Sequence, residues 1–151
     1  NTLGADVPFF IFGRNAFAQG TGSVLQPLDV PDAWAAVLMP AAPTSTALIF
    51  QDPDLTRDTK SLKISSLSEQ LTSQWPVLIG RNDLQSVAER INPEIKTALR
   101  ALGPRARMTG SGSAVFALFD TQAEARRAIE SAPVGMRAYA VRLLSKHPFV
   151  D

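Results

Sequence analysis

A single carboxylate stands in an apolar setting near the start of the sequence. Asp6 follows Gly4 and precedes the apolar run at residues 7–10. A carboxylate held on a rigid element among apolar neighbours can accept a proton from a substrate hydroxyl, because its position is fixed and desolvation raises its basicity. Phosphoryl transfer to an alcohol needs an orienting group of this kind. The pattern therefore indicates Asp6 as a candidate catalytic base; the alternative is a carboxylate that merely ends a turn or a helix.

A glycine-rich segment about a hundred residues later is the second candidate. Residues 109–113, here called the glycine loop, read Thr-Gly-Ser-Gly-Ser and precede an apolar run at 114–119. Glycine permits positive φ and close backbone approach, and successive N–H groups can form an anion-binding nest. The loop is neither a Walker loop, since the spaced Gly-Lys-Ser/Thr is absent, nor a Rossmann fingerprint, since no helix follows directly. Its alternative is a tight connection between two strands.

The elements before residue 30 are short. The apolar run at 9–12 has strand length and ends in a turn signal at 13–15, so it predicts a strand. The segments at 16–18 and 24–25 predict a hairpin, a piece too small to bury its own apolar face. Prolines and aspartates between residues 27 and 32 predict a linker. We therefore expect residues 1–30 to be the end of an upstream domain and residues 31–151 to be a second domain.

The second domain has the order strand, helices, strand, strand, helix, strand. Strands are predicted at 34–39, 105–108, 114–119 and 137–143, and helices at 47–51, 64–71, 82–91, 93–102 and 121–131. Asn82 and Asp83 are expected to cap the third helix, and Thr121 with Glu124 forms a capping box. This order predicts an α+β fold of the split βαβ or ferredoxin-like kind, an antiparallel sheet with helices on one face.

Composition excludes several classes of function. The chain has 151 residues, no cysteine, one histidine and a net charge of +1. Balanced charge gives no electrostatic reason to expect nucleic acid or a membrane surface as partner. The lack of cysteine excludes disulfides and thiolate sites, and a single His147 excludes a multi-histidine metal centre, so no metal site is predicted. We expect His147 to be a surface residue and the protein to be cytoplasmic. No apolar run approaches the length of a membrane span.

Four stretches of the sequence resemble the GHMP small-molecule kinases. They are residues 3–10, 16–22, 40–52 and 109–116, and Asn82 to Leu84 adds a weaker fifth match. The stretches occur in the family's order, and the ferredoxin-like pattern fits the family's C-terminal domain. Within the family, the chain is most similar to the members whose substrate is 4-diphosphocytidyl-2-C-methyl-D-erythritol, a cytidine diphosphate methylerythritol of the non-mevalonate isoprenoid route. The resemblance implies ATP-dependent phosphorylation of the 2-hydroxyl of that small molecule.

The resemblance also implies a role for particular side chains. Asp6 occupies the position of the family's catalytic aspartate, which deprotonates or orients the substrate hydroxyl. Thr46 matches a threonine near that hydroxyl, and Phe50 matches an aromatic residue that stacks on the cytosine ring. For Phe50 the alternative is packing in the core. The family's active-site glycine motif is matched at Gly110, Ser111 and Gly112.

Parts of the family pattern are absent from the sequence. ATP and Mg²⁺ are implied as cofactors, but the family's ATP loop and catalytic lysine lie upstream of the stretches matched here. The chain begins at Asn1 without an initiator methionine. We therefore expect the C-terminal half of a larger kinase, which is inactive without its N-terminal half.

Two alternatives stay open at this point. The acceptor could be another small alcohol, as in homoserine or mevalonate-type kinases of the same family. Residues 32–144 could instead form a ferredoxin-like binding module without chemistry, since that fold supports many functions.

Overall fold

The structure is a computed structural model that describes residues 4, 6–61, 63–78 and 80–149. Leu3 and Ala5, which belong to the first family-like stretch, lie outside the described residues. The described part is a mixed α+β fold with a two-stranded and a four-stranded sheet, both antiparallel. The predicted fold class is therefore confirmed.

The segment after Asp6 is a helix, and the predicted strand at 9–12 is wrong. Helix α1 spans Val7–Phe12, with a proline in its first turn. It ends at Gly13, whose φ of 70° lies in the left-handed region and whose N–H donates to the Phe9 carbonyl. Proline fixes a helical φ, and glycine at the end accepts the left-handed turn without a steric penalty. Periodicity alone does not separate a short apolar helix from a buried strand.

The predicted hairpin is confirmed. Strands β1 (Ala16–Gln19) and β2 (Val24–Pro27) pair in antiparallel register, with Ala16 opposite Pro27 and Gln19 opposite Val24. The domain boundary at residues 30 and 31 stays a prediction.

His147 packs against α1. The His147 N–H donates to the Gly13 carbonyl at 2.7 Å, and the His147 ring meets the Phe10 ring edge-on with centroids 6.2 Å apart. Arg14 and Lys146 form an isolated antiparallel bridge. His147, expected at the surface, is half-buried because it fills the space beside α1.

The larger sheet has the predicted ferredoxin-like order. Its strands are β3 (Trp34–Met39), β4 (Arg107–Met108), β5 (Val115–Phe119) and β6 (Arg137–Arg142), arranged β4-β5-β3-β6. Trp34 faces Phe119 of β5 on one side and Arg142 of β6 on the other. Strand β4 is two residues long, shorter than predicted, and it leads directly into the glycine loop.

Five helices accompany this sheet: α2 (Thr46–Gln51), α3 (Ile64–Gln74), α4 (Gln85–Ile91), α5 (Pro93–Leu102) and α6 (Gln122–Ile129). The capping box of Thr121 and Glu124 is present in both directions. Helix α4 begins after Leu84, not at Asn82 or Asp83 as predicted. No helix in the described ranges is long and apolar enough to cross a membrane.

The core lies between one face of the sheet and the helices. Helix α6 packs on β3, β5 and β6, and α5 packs on β3, β4 and β5. Alternate strand positions face these helices, as expected for a sheet with one covered face. The largest fully buried side chains are Leu38, Ile49, Val87, Ile95 and Val115. Because Ile49 belongs to this set, the core anchors α2 and fixes where its other side chains emerge.

Candidate functional site

Two predicted site residues meet. The Thr46 hydroxyl oxygen lies 2.6 Å from the Ser111 hydroxyl oxygen, across 65 positions of sequence. Thr46 is the first residue of α2, and Ser111 is the middle of the glycine loop between β4 and β5. The hydrogen bond joins the candidate substrate helix to the candidate glycine motif, so these features form one site.

Phe50 stands one helical turn after Thr46 and points to the same side of α2. Its side chain is 55% exposed, whereas its neighbour Ile49 is fully buried. Phe50 therefore does not pack in the core of the described residues: Ile49 supplies the anchor, and the Phe50 ring is accessible.

The C-terminal end of α2 is held by a guanidinium group. Arg57 donates to the Phe50 carbonyl at 2.8 Å and to the Asp52 carbonyl at 3.1 Å. These carbonyls end the helix and lack intrahelical partners, so a cation there is favourable. The Asp52 carboxylate pairs with Arg90 of α4 at 2.7 Å. The backbone beneath the Phe50 ring is thereby tied to the rest of the fold. The polar stretch at 54–63 gave no sign of this role for Arg57.

The loop before α2 is held by the start of α5. Asn92 is 5% exposed; its Nδ2 donates to the Ala42 carbonyl at 3.0 Å, and its Oδ1 accepts the Glu94 N–H at 3.1 Å. The Glu94 carboxylate accepts the Ala41 N–H at 2.9 Å. Asn92 therefore caps α5 and also fixes the approach to Thr46, which the sequence pattern did not indicate.

The glycine loop needs glycine on both sides of Ser111. Gly110 and Gly112 have φ values of 53° and 86°. A Cβ atom on Gly112 would lie 2.8 Å from the Met108 sulfur and 3.4 Å from Ile95 Cδ1. The Gly112 N–H donates to the Thr109 carbonyl at 2.9 Å, closing a tight turn. The loop is thus a compact connection between two strands that also places Ser111 against α2.

Asn82 reaches this loop instead of capping α4. Its Nδ2 donates to the Met108 carbonyl at 2.9 Å and to the Gly110 carbonyl at 2.8 Å, and its Oδ1 accepts the Leu84 N–H at 3.0 Å. The expected cap was wrong because an asparagine that accepts the N–H of the residue two positions later can form a turn as readily as a helix cap. No local signal separates the two roles.

Asp6 lies apart from these contacts. It is exposed at the start of α1, and its side chain makes no capping hydrogen bond. Among the described residues, no hydrogen bond or ion pair joins it to Thr46, Phe50 or the glycine loop. This part of the chain does not supply the desolvation expected around Asp6, and its catalytic role stays a prediction. No group of three or more His, Asp or Glu side chains in the described ranges could hold a metal ion.

Residues 59–133, which include α4, α5, the glycine loop and α6, match the family model described as the C-terminal domain of GHMP kinases. The chain carries a GHMP kinase C-terminal domain. The expected family is therefore confirmed, and the site between α2 and the glycine loop lies within and beside this domain.

The chain is similar to proteins named 4-diphosphocytidyl-2-C-methyl-D-erythritol kinase. The protein of that name from Thiobacillus denitrificans is 45% identical over 151 residues, which are 99% of this chain and 51% of the relative. The one from Janthinobacterium sp. is 44% identical over 148 residues, 97% of this chain and 50% of the relative. The chain thus spans about half the length of the curated relatives it matches.

A solved structure of 4-(cytidine 5'-diphospho)-2C-methyl-D-erythritol kinase has the same fold. It superposes with a TM-score of 0.75 at 37% identity, covering 93% of this chain and 54% of that one. The coverage extends past the GHMP kinase domain into the segment that holds α1 and the hairpin.

Proposed function

We propose that the enzyme containing this chain transfers the γ-phosphate of ATP to the 2-hydroxyl of 4-diphosphocytidyl-2-C-methyl-D-erythritol. The observation that carries the proposal is the Thr46–Ser111 contact at 2.6 Å with the exposed Phe50 ring one turn away. The names of the relatives support the same substrate. The chain contributes the acceptor side of the site.

In this proposal each element of the site has a separate task. The Phe50 ring stacks on the cytosine, and Thr46 lies near the acceptor hydroxyl. The glycine loop fixes Thr46 through Ser111. Asp6 orients or deprotonates the acceptor hydroxyl once the substrate is bound. Positioning of this kind is the main contribution a protein makes to phosphoryl transfer.

ATP and Mg²⁺ are proposed to bind outside the part of the chain that the structure describes. Mg²⁺ is held by oxygen ligands, commonly carboxylates together with substrate phosphates. The described residues offer no acidic cluster of three groups, and the glycine loop lacks the lysine of a Walker motif. The residues present therefore do not fit a complete nucleotide and metal site, and no step is assigned through it. A cytoplasmic location stays a prediction from the sequence.

A substitution of Phe50 tests whether the acceptor substrate carries a cytosine ring. In the full-length enzyme, Phe50→Ala removes a base-stacking contact worth about 1–3 kcal/mol, which raises the KM for the cytidyl substrate roughly 5- to 150-fold. Leu48→Ala is a matched control, because Leu48 lies on the same helix and is also 55% exposed. Steady-state phosphorylation of the cytidyl substrate measures both.

The outcomes separate the alternatives. A large rise of KM in Phe50→Ala with little change in Leu48→Ala supports a cytidyl acceptor. Equal, small effects of the two substitutions, with activity toward homoserine or mevalonate, would assign the site to another kinase of the family. Saturable binding without any turnover by the full-length enzyme would favour a binding module.

A further inference from the structure

The side-chain amide of Asn82 bridges two segments of the site. It donates from Nδ2 to the Met108 and Gly110 carbonyls and accepts the Leu84 N–H at Oδ1. Two acceptors on one side and a donor on the other fix the amide orientation, since an exchanged oxygen and nitrogen would lose all three hydrogen bonds. Asn82 thus links the residues before α4 to the end of β4 and to the glycine loop.

A neighbouring side chain makes a comparable contact that stops short of the loop. Gln85, the first residue of α4, accepts the Met108 N–H at 3.0 Å with its Oε1. Met108 is therefore held at its N–H by Gln85 and at its carbonyl by Asn82. Of the two side chains, Asn82 also reaches Gly110. Substituting Gln85 therefore affects the end of β4, whereas substituting Asn82 also affects the glycine loop.

The backbone of the glycine loop needs contacts of this kind to hold one conformation. Gly110 and Gly112 give the unfolded loop many backbone states, so ordering the loop has a conformational-entropy cost that its contacts must offset. The Gly110 carbonyl directly precedes Ser111, whose hydroxyl meets Thr46. Holding that carbonyl restricts the peptide unit that sets the direction of Ser111.

We propose that Asn82 is a positioning residue of the kinase: through Gly110 it holds Ser111 against Thr46 and so fixes the acceptor side of the site. The inference rests on the proposed function. Asn82 acts through the loop and is not a catalytic residue. A displacement of about 1 Å in such a site can lower the rate about 100-fold.

The test compares three variants of the full-length enzyme. Asn82→Asp keeps the acceptor toward Leu84 but removes both donors and places an oxygen beside two carbonyls. Asn82→Ala removes the amide without adding a charge, in case the aspartate variant does not fold; the exposed Gly110 carbonyl can then bond to water. Gln85→Met is the matched control, since it removes the hydrogen bonds to Met108 and to Glu89 and none to the loop.

Two measurements are made on each variant. We expect both Asn82 variants to lower kcat/KM for the cytidyl substrate about 10- to 100-fold, and Gln85→Met to change it less than about twofold. Hydrogen exchange of the Gly112 amide, which is bonded to the Thr109 carbonyl, should accelerate in the Asn82 variants only. This second readout needs no kinase activity.

The outcomes distinguish the two proposals. If the wild-type enzyme does not phosphorylate the cytidyl substrate, the proposed function fails and this inference fails with it. If the wild type turns over but Asn82→Ala matches Gln85→Met in kcat/KM or in Gly112 exchange, only the positioning role is overturned.

Discussion

At the scale of single residues, exposure separates two of the proposed site residues from the residues of the core. Phe50 is 55% exposed beside the fully buried Ile49, and Asp6 is exposed without a capping hydrogen bond. Neither residue belongs to the buried core, and the Asp6 side chain makes no capping hydrogen bond. Substitution at such positions is expected to change activity and leave stability nearly constant.

For Asp6 we expect a large loss of activity with almost no loss of stability. In the full-length enzyme, Asp6→Asn should lower kcat about 100- to 10,000-fold, because general-base catalysis is removed. The free energy of unfolding should change by less than about 0.5 kcal/mol, since the carboxylate is exposed. Turnover assays and chemical denaturation measure the two quantities. Asp29→Asn, at another exposed carboxylate, is the control. Near-normal turnover of Asp6→Asn would remove the catalytic assignment.

At the scale of elements, the site is made of short pieces that distant residues hold in place. Helix α2 has six residues, of which only Ile49 is buried. Its ends are fixed by Asn92 from α5, through the preceding loop, and by Arg57. The glycine loop is fixed in the same way by Asn82. Isolated helices of this length are unstable in water, so these contacts determine the conformation.

The glycine loop allows a matched pair of substitutions. Gly110→Ala and Gly112→Ala both place a Cβ at positive φ, at a cost of about 1–2 kcal/mol. Only the Cβ on Gly112 would meet Met108, which is 2% exposed and has little room to move. We expect Gly112→Ala to lose about 1–3 kcal/mol more than Gly110→Ala. Urea denaturation midpoints measure the difference, and equal losses would contradict the packing around Gly112.

At the scale of the whole molecule, the chain exposes an apolar helix. Phe9, Phe10 and Ile11 of α1 are 41%, 59% and 75% exposed. The chain spans about half the length of its curated relatives. We propose that the N-terminal half of the complete enzyme covers α1, because burying the exposed part of each side chain is favourable by up to about 1.5–3 kcal/mol.

This proposal predicts a difference between two protein lengths. Ile11→Ser should change the free energy of unfolding by less than about 0.5 kcal/mol in the 151-residue chain, where Ile11 is mostly exposed. In the full-length enzyme the loss should be about 2 kcal/mol or more. Val134→Ser, at a fully exposed turn position, is the control in both lengths. The same small effect of Ile11→Ser in both proteins would show that α1 is not covered.

The sequence by itself determined the elements whose signals are local. The capping box at Thr121, the Asn-Pro start of α5 and the alternation in β6 act over a few residues, and each predicted its element. The order of these elements then predicted the ferredoxin-like sheet. The signals for α1, a proline in the first turn and Gly13 at the end, were also local, but the apolar run obscured them.

Only the tertiary structure decided how the site is assembled. The contact of Thr46 with Ser111 spans 65 positions, and Asn82 reaches Gly110 across 28. Whether an asparagine caps its own helix or holds a distant loop depends on what packs beside it. Whether Phe50 is buried or exposed depends on which face of α2 packs on the core, and it is Ile49 that the core buries. Propensities describe a residue and its near neighbours, while these outcomes depend on the packing of α2, α4 and the sheet together.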